Sequence, residues 1–314
     1  MELTGGYNLF IAPYQQPVLI YNPAAGKLRR NPKRIIQRTT DALRGANLFS
    51  VDAPRLLPTS GPGDATALAR EAVADGADLI LVLGGDGTIN EAVNGMAHSD
   101  VPLAIVPAGT ANVLAMEIGL GSRLERAISR LSDCVTQRVS LGRVRESNGI
   151  SRYFLAMGGV GLDAKIVCDL DSGFKARAGK LAYWATGLAH VTQPVGQFEA
   201  RVNGSRYRCG FALASRVRNY GGDLEIATGA SLAKDDFEII LFEGAHPLRY
   251  LMYLLGVATR RVQEMPGVRT FHAGRVDFTG DVPLQIDGEF AGRLPASFEI
   301  VRGALTLLLP RTYK

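Results

Sequence analysis

Five uninterrupted apolar residues, Leu79 to Leu83, run directly into Gly84-Gly85-Asp86-Gly87-Thr88. No other stretch constrains the fold as tightly. The run is short, uncharged and rich in Leu and Val, as expected of a strand buried on both faces of a parallel sheet. Beyond the turn, Ile89, Ala92, Val93 and Met96 recur at helical spacing. The unit reads strand, glycine turn, helix. Three glycines in four positions let the backbone come close to a ligand, and free N–H groups at a helix start favour phosphate. Asp86 would oppose a phosphate unless a cation lay between them, so a nucleotide with Mg²⁺ is the economical reading. A plain tight turn, with Asp86 as a helix cap, is the alternative left open by local physics. The stretch lacks the Gly-Lys-Ser/Thr of a P-loop and the spacing of Gly-x-Gly-x-x-Gly.

At 314 residues the chain is long for one core and suits two domains. A hydrophobic content of 46% with 21% charged residues indicates a globular chain rather than a disordered one. The net charge of +5 suits anionic lipid, ATP or nucleic acid and selects none of them. Cys134, Cys168 and Cys209 lack metal or redox spacing and read as buried thiols in a reducing compartment. His98, His190, His246 and His272 are scattered and carry no assigned chemistry. No window reaches the ~20 apolar residues of a membrane span; residues 248–258 are too short and contain Arg249. No Lys or Arg precedes Lys27, which argues against a secretory signal.

Residues 1–16 form a polar, glycine-bearing extension. Pro17 to Tyr21 is the first parallel strand and ends in Asn22-Pro23-Ala24-Ala25-Gly26-Lys27. A helix over about 31–44, a strand near 48–51 and Pro-rich residues to Thr59 follow. Gly61-Pro62-Gly63 fits a loop lip, and Asp64 is the expected N-cap of the next helix. Pro102 to Pro107 is another buried strand, stopping at Ala108-Gly109-Thr110-Ala111-Asn112. Helices near 111–118 and 122–132 close a domain over 17–137. Three turns of small residues thus converge on one sheet edge, where ligands of open α/β sheets collect. From 138 to 297 the segments are short and alternating, and Asn203-Gly204 signals a hairpin. Helical patterns interrupt them near 179–191 and 247–262. The expected fold is a three-layer α/β nucleotide-binding domain plus an all-β, antiparallel sandwich-like domain, with the active site in the cleft between them.

Gly84-Gly85-Asp86-Gly87-Thr88, with Asn90-Glu91 and Asn94-Gly95, resembles the catalytic domain of the soluble diacylglycerol kinase family. That family includes bacterial lipid kinases and the sphingosine and ceramide kinases. The Gly-Gly-Asp-Gly core alone is shared with NAD kinases and phosphofructokinases. Four further stretches fit in order: Tyr21 to Lys27, Pro107 to Asn112, Gly221-Gly222-Asp223-Leu224 running on to Asp235, and Gln285-Ile286-Asp287-Gly288-Glu289. The resemblance spans about residues 17–310 and implies an ATP-dependent lipid kinase that uses Mg²⁺. It places Gly84, Gly85, Asp86, Gly87, Thr88, Asn90 and Glu91 around the nucleotide, together with Asn22, Pro23, Gly26, Lys27, Thr59, Gly109, Thr110 and Asn112. Asp86 would position the catalytic Mg²⁺. The last strand, about 298–314, would return to the first domain.

The resemblance also implies a structural Mg²⁺ on Asp235 and the carbonyls of Leu232 and Phe237, hard oxygen ligands that suit such an ion. Asp236 stands where the family usually has glycine, and a solvated Asp-Asp turn is the alternative. Read alone, Asp287-Gly288 is first a hairpin turn. The resemblance makes Glu289 the base that takes the lipid hydroxyl proton, and Asp287 its metal or orientation partner. Val113 and Ser140 depart from the family, since many bacterial relatives carry aspartates there in a water and Mg²⁺ network around the residue matching Asp86. Two rivals follow: a soluble NAD kinase-like enzyme, and a catalytically weakened lipid- or nucleotide-binding regulatory protein. A lipid substrate implies a cytoplasmic protein peripheral to the inner face of the membrane, with no transmembrane segment and no nucleic-acid partner. Residues 248–258 with Arg249, Arg260 and Arg261 are candidate contacts, and a core helix with a basic end is the alternative. A homodimer is compatible with all of this.

Overall fold

The computed structural model describes residues 14–313 apart from 148, 163, 166–195, 221–223 and 245–246. The helix expected near 179–191, the Gly221-Gly222-Asp223 motif, Cys168, His190, His246 and most of the 1–16 extension lie outside them. Strands β1 (Pro17–Tyr21), β2 (Arg55–Pro58), β3 (Leu79–Gly84) and β4 (Pro102–Pro107) are parallel, in the order β2-β1-β3-β4. Every residue of β3 and β4 is buried, which is why these strands read as unbroken apolar runs. Helices α1 (Pro32–Gly45), α2 (Asp64–Ala74), α3 (Asp86–Met96), α4 (Val113–Glu117) and α5 (Leu124–Leu131) connect and flank them.

Two local expectations are corrected. Residues 48–51 form no strand, only an isolated bridge between Tyr14 and Phe49. The strand is β2, an edge strand whose exposed, Pro-ended sequence hides the usual alternation. Asp64 does not cap α2. Gly63 holds the N-cap position in a left-handed conformation, and the Asp64 carboxylate accepts from the amides of Ser60 (2.7 Å) and Gly61 (3.0 Å).

The rest of the chain supplies β5 (Cys134–Glu146), β6 (Ser151–Phe154), β7 (Met157–Gly161), β8 (Phe198–Val202), β9 (Ser205–Cys209), β10 (Phe211–Ser215), β11 (Asn219–Tyr220), β12 (Leu224–Glu225) and β13 (Phe237–Phe242). Helix α6 (Pro247–Ala258) follows, then β14 (Val268–Ala273), β15 (Arg275–Thr279), β16 (Pro283–Ile286), β17 (Glu289–Arg293) and β18 (Ala296–Pro310). Asn203 and Gly204, with φ of 49° and 83°, make the two-residue β8–β9 turn that their sequence demands. An antiparallel sheet ordered β14-β13-β10-β7-β16-β17 faces β5, β6, β8, β15 and β18. Phe154, Phe198, Phe237, Phe278 and Phe298 fill the space between the two sheets, with ring centroids 5.2–5.8 Å apart.

Strand β18 binds the halves together. Thr306 and Leu307 pair in parallel with β4, while Ala296 to Pro310 pair antiparallel with the long β5 around a bulge between Val301 and Leu305. The 137/138 division drawn from the sequence falls inside β5. One continuous sheet thus carries the parallel layer and one face of the sandwich, which fixes the two sides of the cleft relative to each other.

Candidate active site

The β2-β1-β3-β4 order reverses direction between β1 and β3, and open α/β sheets bind ligands at the carboxyl ends of such neighbours. The turns after β1, β3 and β4 meet there. The Asn22 amide nitrogen donates to Leu83 O, and its side chain donates to Thr88 Oγ1 at 3.3 Å. Gly84 O accepts from both Ala108 N and Gly109 N. Glycine is required at 109, because a Cβ built there would lie 2.5 Å from Gly85 Cα. A Cβ built on Gly26 would lie 3.6 Å from Thr110 Oγ1, and Thr59 N donates to Tyr21 O at the mouth of the same edge. The structure thus brings Asn22, Gly26, Thr59, Gly84 to Thr88, Gly109 and Thr110 together, with Pro23 inside the first turn.

Asp86 opens α3 and looks across to α4, accepting from Leu114 N at 3.3 Å. Burial pushes its pKa above the ordinary carboxylate range, while the amides of Val113 and Leu114 pull it down. Val113 therefore serves Asp86 through its backbone.

The remaining wall comes from the β sandwich. Glu289 opens β17, and its carboxylate lies directly over Gly87: a Cβ built on Gly87 would fall 2.1 Å from Glu289 Oε1. The middle glycine of the turn therefore makes room for a carboxylate from a residue some two hundred positions away in sequence.

Asp287 holds the strand start that carries Glu289. It adopts a left-handed φ of 48°, and its buried carboxylate accepts from Leu155 N (2.9 Å), Ala156 N (2.9 Å) and Met157 N (2.8 Å). Its own amide donates to Met157 O at 2.8 Å. Burial raises its pKa to about 6 against the pull of these amides, and the charge on Asp86 adds to the rise. Three amides engage its oxygens, which matches the orientation half of the Asp287 expectation. Its geometry is that of a positioning residue.

Several other expected ligands turn out to be braces. Lys27 Nζ donates to Pro107 O at 3.0 Å and to Ser122 O, tying the first turn to β4 and the loop before α5. Burial lowers its pKa. The Glu91 carboxylate accepts from Gly63 N (2.8 Å) and Ala65 N (3.1 Å), so it caps α2 and supports the loop behind Thr59. Asn112 closes its own turn, accepting from Gly109 N and donating to Gly109 O. Asn90 is buried and receives Asn94 Nδ2.

The expected structural Mg²⁺ site does not fit the residues present. Leu232 O accepts from Arg216 Nη2 at 3.0 Å, and the Asp235 carboxylate accepts from Ser140 Oγ. Among the described residues no cluster of three or more His, Cys, Asp or Glu side chains could hold a metal. Cys134 and Cys209 are buried thiols pushed up to about 12.

Asn94 of the sequence motif, and Glu117 and Tyr313, which the sequence did not single out, link the two sides. Asn94 pairs with both backbone groups of Tyr153 on β6, at 2.9 Å each. Glu117, at the end of α4, is fully buried and accepts from Arg218 N, Arg218 Nε and Asn219 Nδ2. Tyr313 Oη donates to Glu117 and accepts from Leu232 N. A glutamate inside the apolar stretch Val113 to Ile118 was the available signal for Glu117.

Comparisons with known proteins fit this geometry. Residues 16–144 match the model of the diacylglycerol kinase catalytic domain, and residues 157–309 match that of the YegS C-terminal NAD kinase beta sandwich-like domain. A Mycobacterium tuberculosis protein named diacylglycerol kinase is 31% identical over 255 residues, covering 79% of this chain and 82% of its own. The chain belongs to the diacylglycerol kinase family. Within the family, a Bacillus subtilis diacylglycerol kinase is 26% identical over 93% of this chain and 96% of its own. A crystal structure of a diacylglycerol kinase from Bacillus anthracis superposes with a TM-score of 0.72 at 23% identity, over 95% of this chain and 98% of that one. Another structure from the same organism reaches 0.80 at 21% identity, over 98% and 99%. Membership makes this chain a kinase whose acceptor is an alcohol group.

Proposed function

We propose that this kinase transfers the γ-phosphate of ATP to a hydroxyl of a lipid such as diacylglycerol or a sphingoid lipid. The observation that carries the reading is the seat of Glu289, whose carboxylate rests on Gly87 in the middle of the phosphate-type turn. The amides of the turn and the start of α3 hold the phosphates. Glu289 takes the proton of the acceptor hydroxyl as its oxygen bonds to the γ-phosphorus and the bond to the β-bridging oxygen breaks. Asp287 and its three amide partners keep Glu289 in place. Asp86, a carboxylate at the start of α3 in the turn, suits a hard cation. Mg²⁺ accompanying the nucleotide would supply charge neutralisation there.

Among the described residues no helix is long and apolar enough to cross a membrane. A surface for reaching a lipid is offered by α6, where Met252 (59%) and Leu255 (70%) are exposed while Tyr253 and Val257 are buried. Arg249 bonds Glu243 O and Arg260 pairs with Glu225, so two of the three arginines there already have protein partners. Contact at the inner face of the membrane therefore rests on apolar side chains more than on charge.

The test is phosphoryl transfer from labelled Mg·ATP to diacylglycerol, sphingosine, ceramide and a polyprenol in mixed micelles. Transfer to one of them is expected; none, with nucleotide binding intact, would favour the weakened-enzyme reading suggested by Val113 and Ser140. The NAD kinase-like sandwich match keeps NAD⁺ as the second acceptor to assay. The pH profile is a separate expectation. Asp287 is raised to about 6 and Asp86 is raised as well, and both act as anions. The acid limb of kcat/KM should therefore fall through a pH near 6. A limb near the ordinary carboxylate value of ~4 would contradict this.

A further inference from the structure

Arg216 directly follows β10 and is, among the described residues, the largest side chain that the fold buries completely. An arginine is almost never buried without partners. Here Nη2 donates to Leu232 O at 3.0 Å and Nη1 to Lys234 O at 3.2 Å, while Nε is buried without a partner. The charges of Asp235 and Asp236 favour the cationic form, and although burial lowers its pKa to about 10 the guanidinium stays charged at neutral pH. Asp235 is held in turn by Ser140 Oγ, which also accepts from Gly303 N on the β18 spine. Leu232 O and Lys234 O thus meet a positive charge directly, and the exposed Asp235 carboxylate, which also pairs with Arg302 at 3.9 Å, acts on it through space; together they are donors of the kind a hard cation takes. The charge that meets them is a side chain.

We propose that the Arg216 guanidinium is a built-in replacement for a divalent cation on the 232–237 loop, so that this wall of the cleft is organised without Mg²⁺. A metal ligated by Leu232 O and Asp235 would compete with the guanidinium for the buried Leu232 carbonyl and would meet its positive charge, although Asp235 itself is exposed. The arginine also reaches the catalytic side: Arg216 N donates to Ala156 O at 2.8 Å, and Ala156 N is one of the three donors to Asp287. Leu232 N leads through Tyr313 to Glu117 at the end of α4, whose first turn meets Asp86. The guanidinium therefore holds the Leu232 end of this path, while the link to Asp287 runs through the main chain at 216. The serine at 140, in place of the aspartate of many bacterial relatives, fits the same arrangement: it gives Asp235 a neutral donor where a cation already stands. The proposal goes beyond the kinase reading and does not depend on which acceptor is used.

The test is thermal melting of the full, nucleotide-free chain in EDTA and in millimolar MgCl₂ or CaCl₂, for the wild type, Arg216→Ala and Arg216→Lys. Any shift of the wild type between EDTA and either salt should be matched by Asp235→Asn, because it comes from Asp86 and not from the loop. Arg216→Ala should melt lower in EDTA and recover part of the loss on adding Mg²⁺ or Ca²⁺, because the vacated carbonyls and Asp235 then bind the ion. Arg216→Lys should fall between the two in EDTA. Whatever binds at Asp86 is common to all three and cancels. If Arg216→Ala does not fold, terbium luminescence on the wild type with Asp235→Asn as control decides. A signal lost in Asp235→Asn would show metal on the loop and overturn the proposal; an unchanged signal supports it. A wild-type shift between EDTA and Mg²⁺ that Asp235→Asn abolishes would also overturn it, as would an Arg216→Ala protein whose gain from either ion is no larger than the wild type's.

Discussion

Glu289→Gln is expected to lower kcat by roughly 10²–10⁴-fold while leaving the melting temperature unchanged. The magnitude is that of losing a positioned general base. Stability should hold because Glu289 is exposed at the start of β17 and glutamine has the same shape. Nucleotide affinity should also change little, since the turn amides and α3 are untouched. The measurements are single-turnover phosphoryl transfer, a thermal melt and an ATP titration on one preparation. A variant that keeps near wild-type kcat would remove Glu289 from the base role and leave its seat over Gly87 without a chemical explanation.

Asp287→Ala should be the most damaging of the stability changes. It orphans three buried amides at once, those of Leu155, Ala156 and Met157. Each unsatisfied buried donor costs about 1–3 kcal/mol, and alanine at a left-handed φ adds roughly 1 kcal/mol. Relief of a buried charge offsets part of this, so a net loss on the order of 3 kcal/mol is expected by denaturant titration. Asp287→Asn keeps the left-handed preference and one acceptor, and should lose less. Because the same turn carries Glu289, activity should fall in both variants. A fully stable Asp287→Ala would show that the three hydrogen bonds do not hold β7 to the 287–289 turn.

The parallel layer was readable because burial on both faces leaves unbroken apolar runs such as Leu79 to Leu83, and because glycine turns mark where those runs stop. β2 escaped because its exposed edge position imposes no hydrophobic pattern on Arg55 to Pro58. In the site, residue type was legible but its partner was not. Lys27, Glu91 and Asn112 have the chemistry of phosphate and metal neighbours, yet their polar atoms go to backbone groups that shape the turns. The meeting of Glu289 with Gly87, and of Tyr313 with Glu117, depends on β18 returning to β4, a long-range contact that no local pattern encodes. Arg216 could have been noticed as a charge just after the apolar run Phe211 to Ala214, but nothing there names Leu232 or Lys234 as its acceptors.

The most direct test of the central claim is a competition in one tube. Labelled ATP and Mg²⁺ are given with diacylglycerol micelles and NAD⁺ together, and the label is partitioned between organic and aqueous phases. Label is expected in the organic phase as a lipid phosphate, absent with Glu289→Gln. Label confined to the aqueous phase as NADP⁺ would contradict it and make the chain an NAD kinase on a lipid-kinase scaffold.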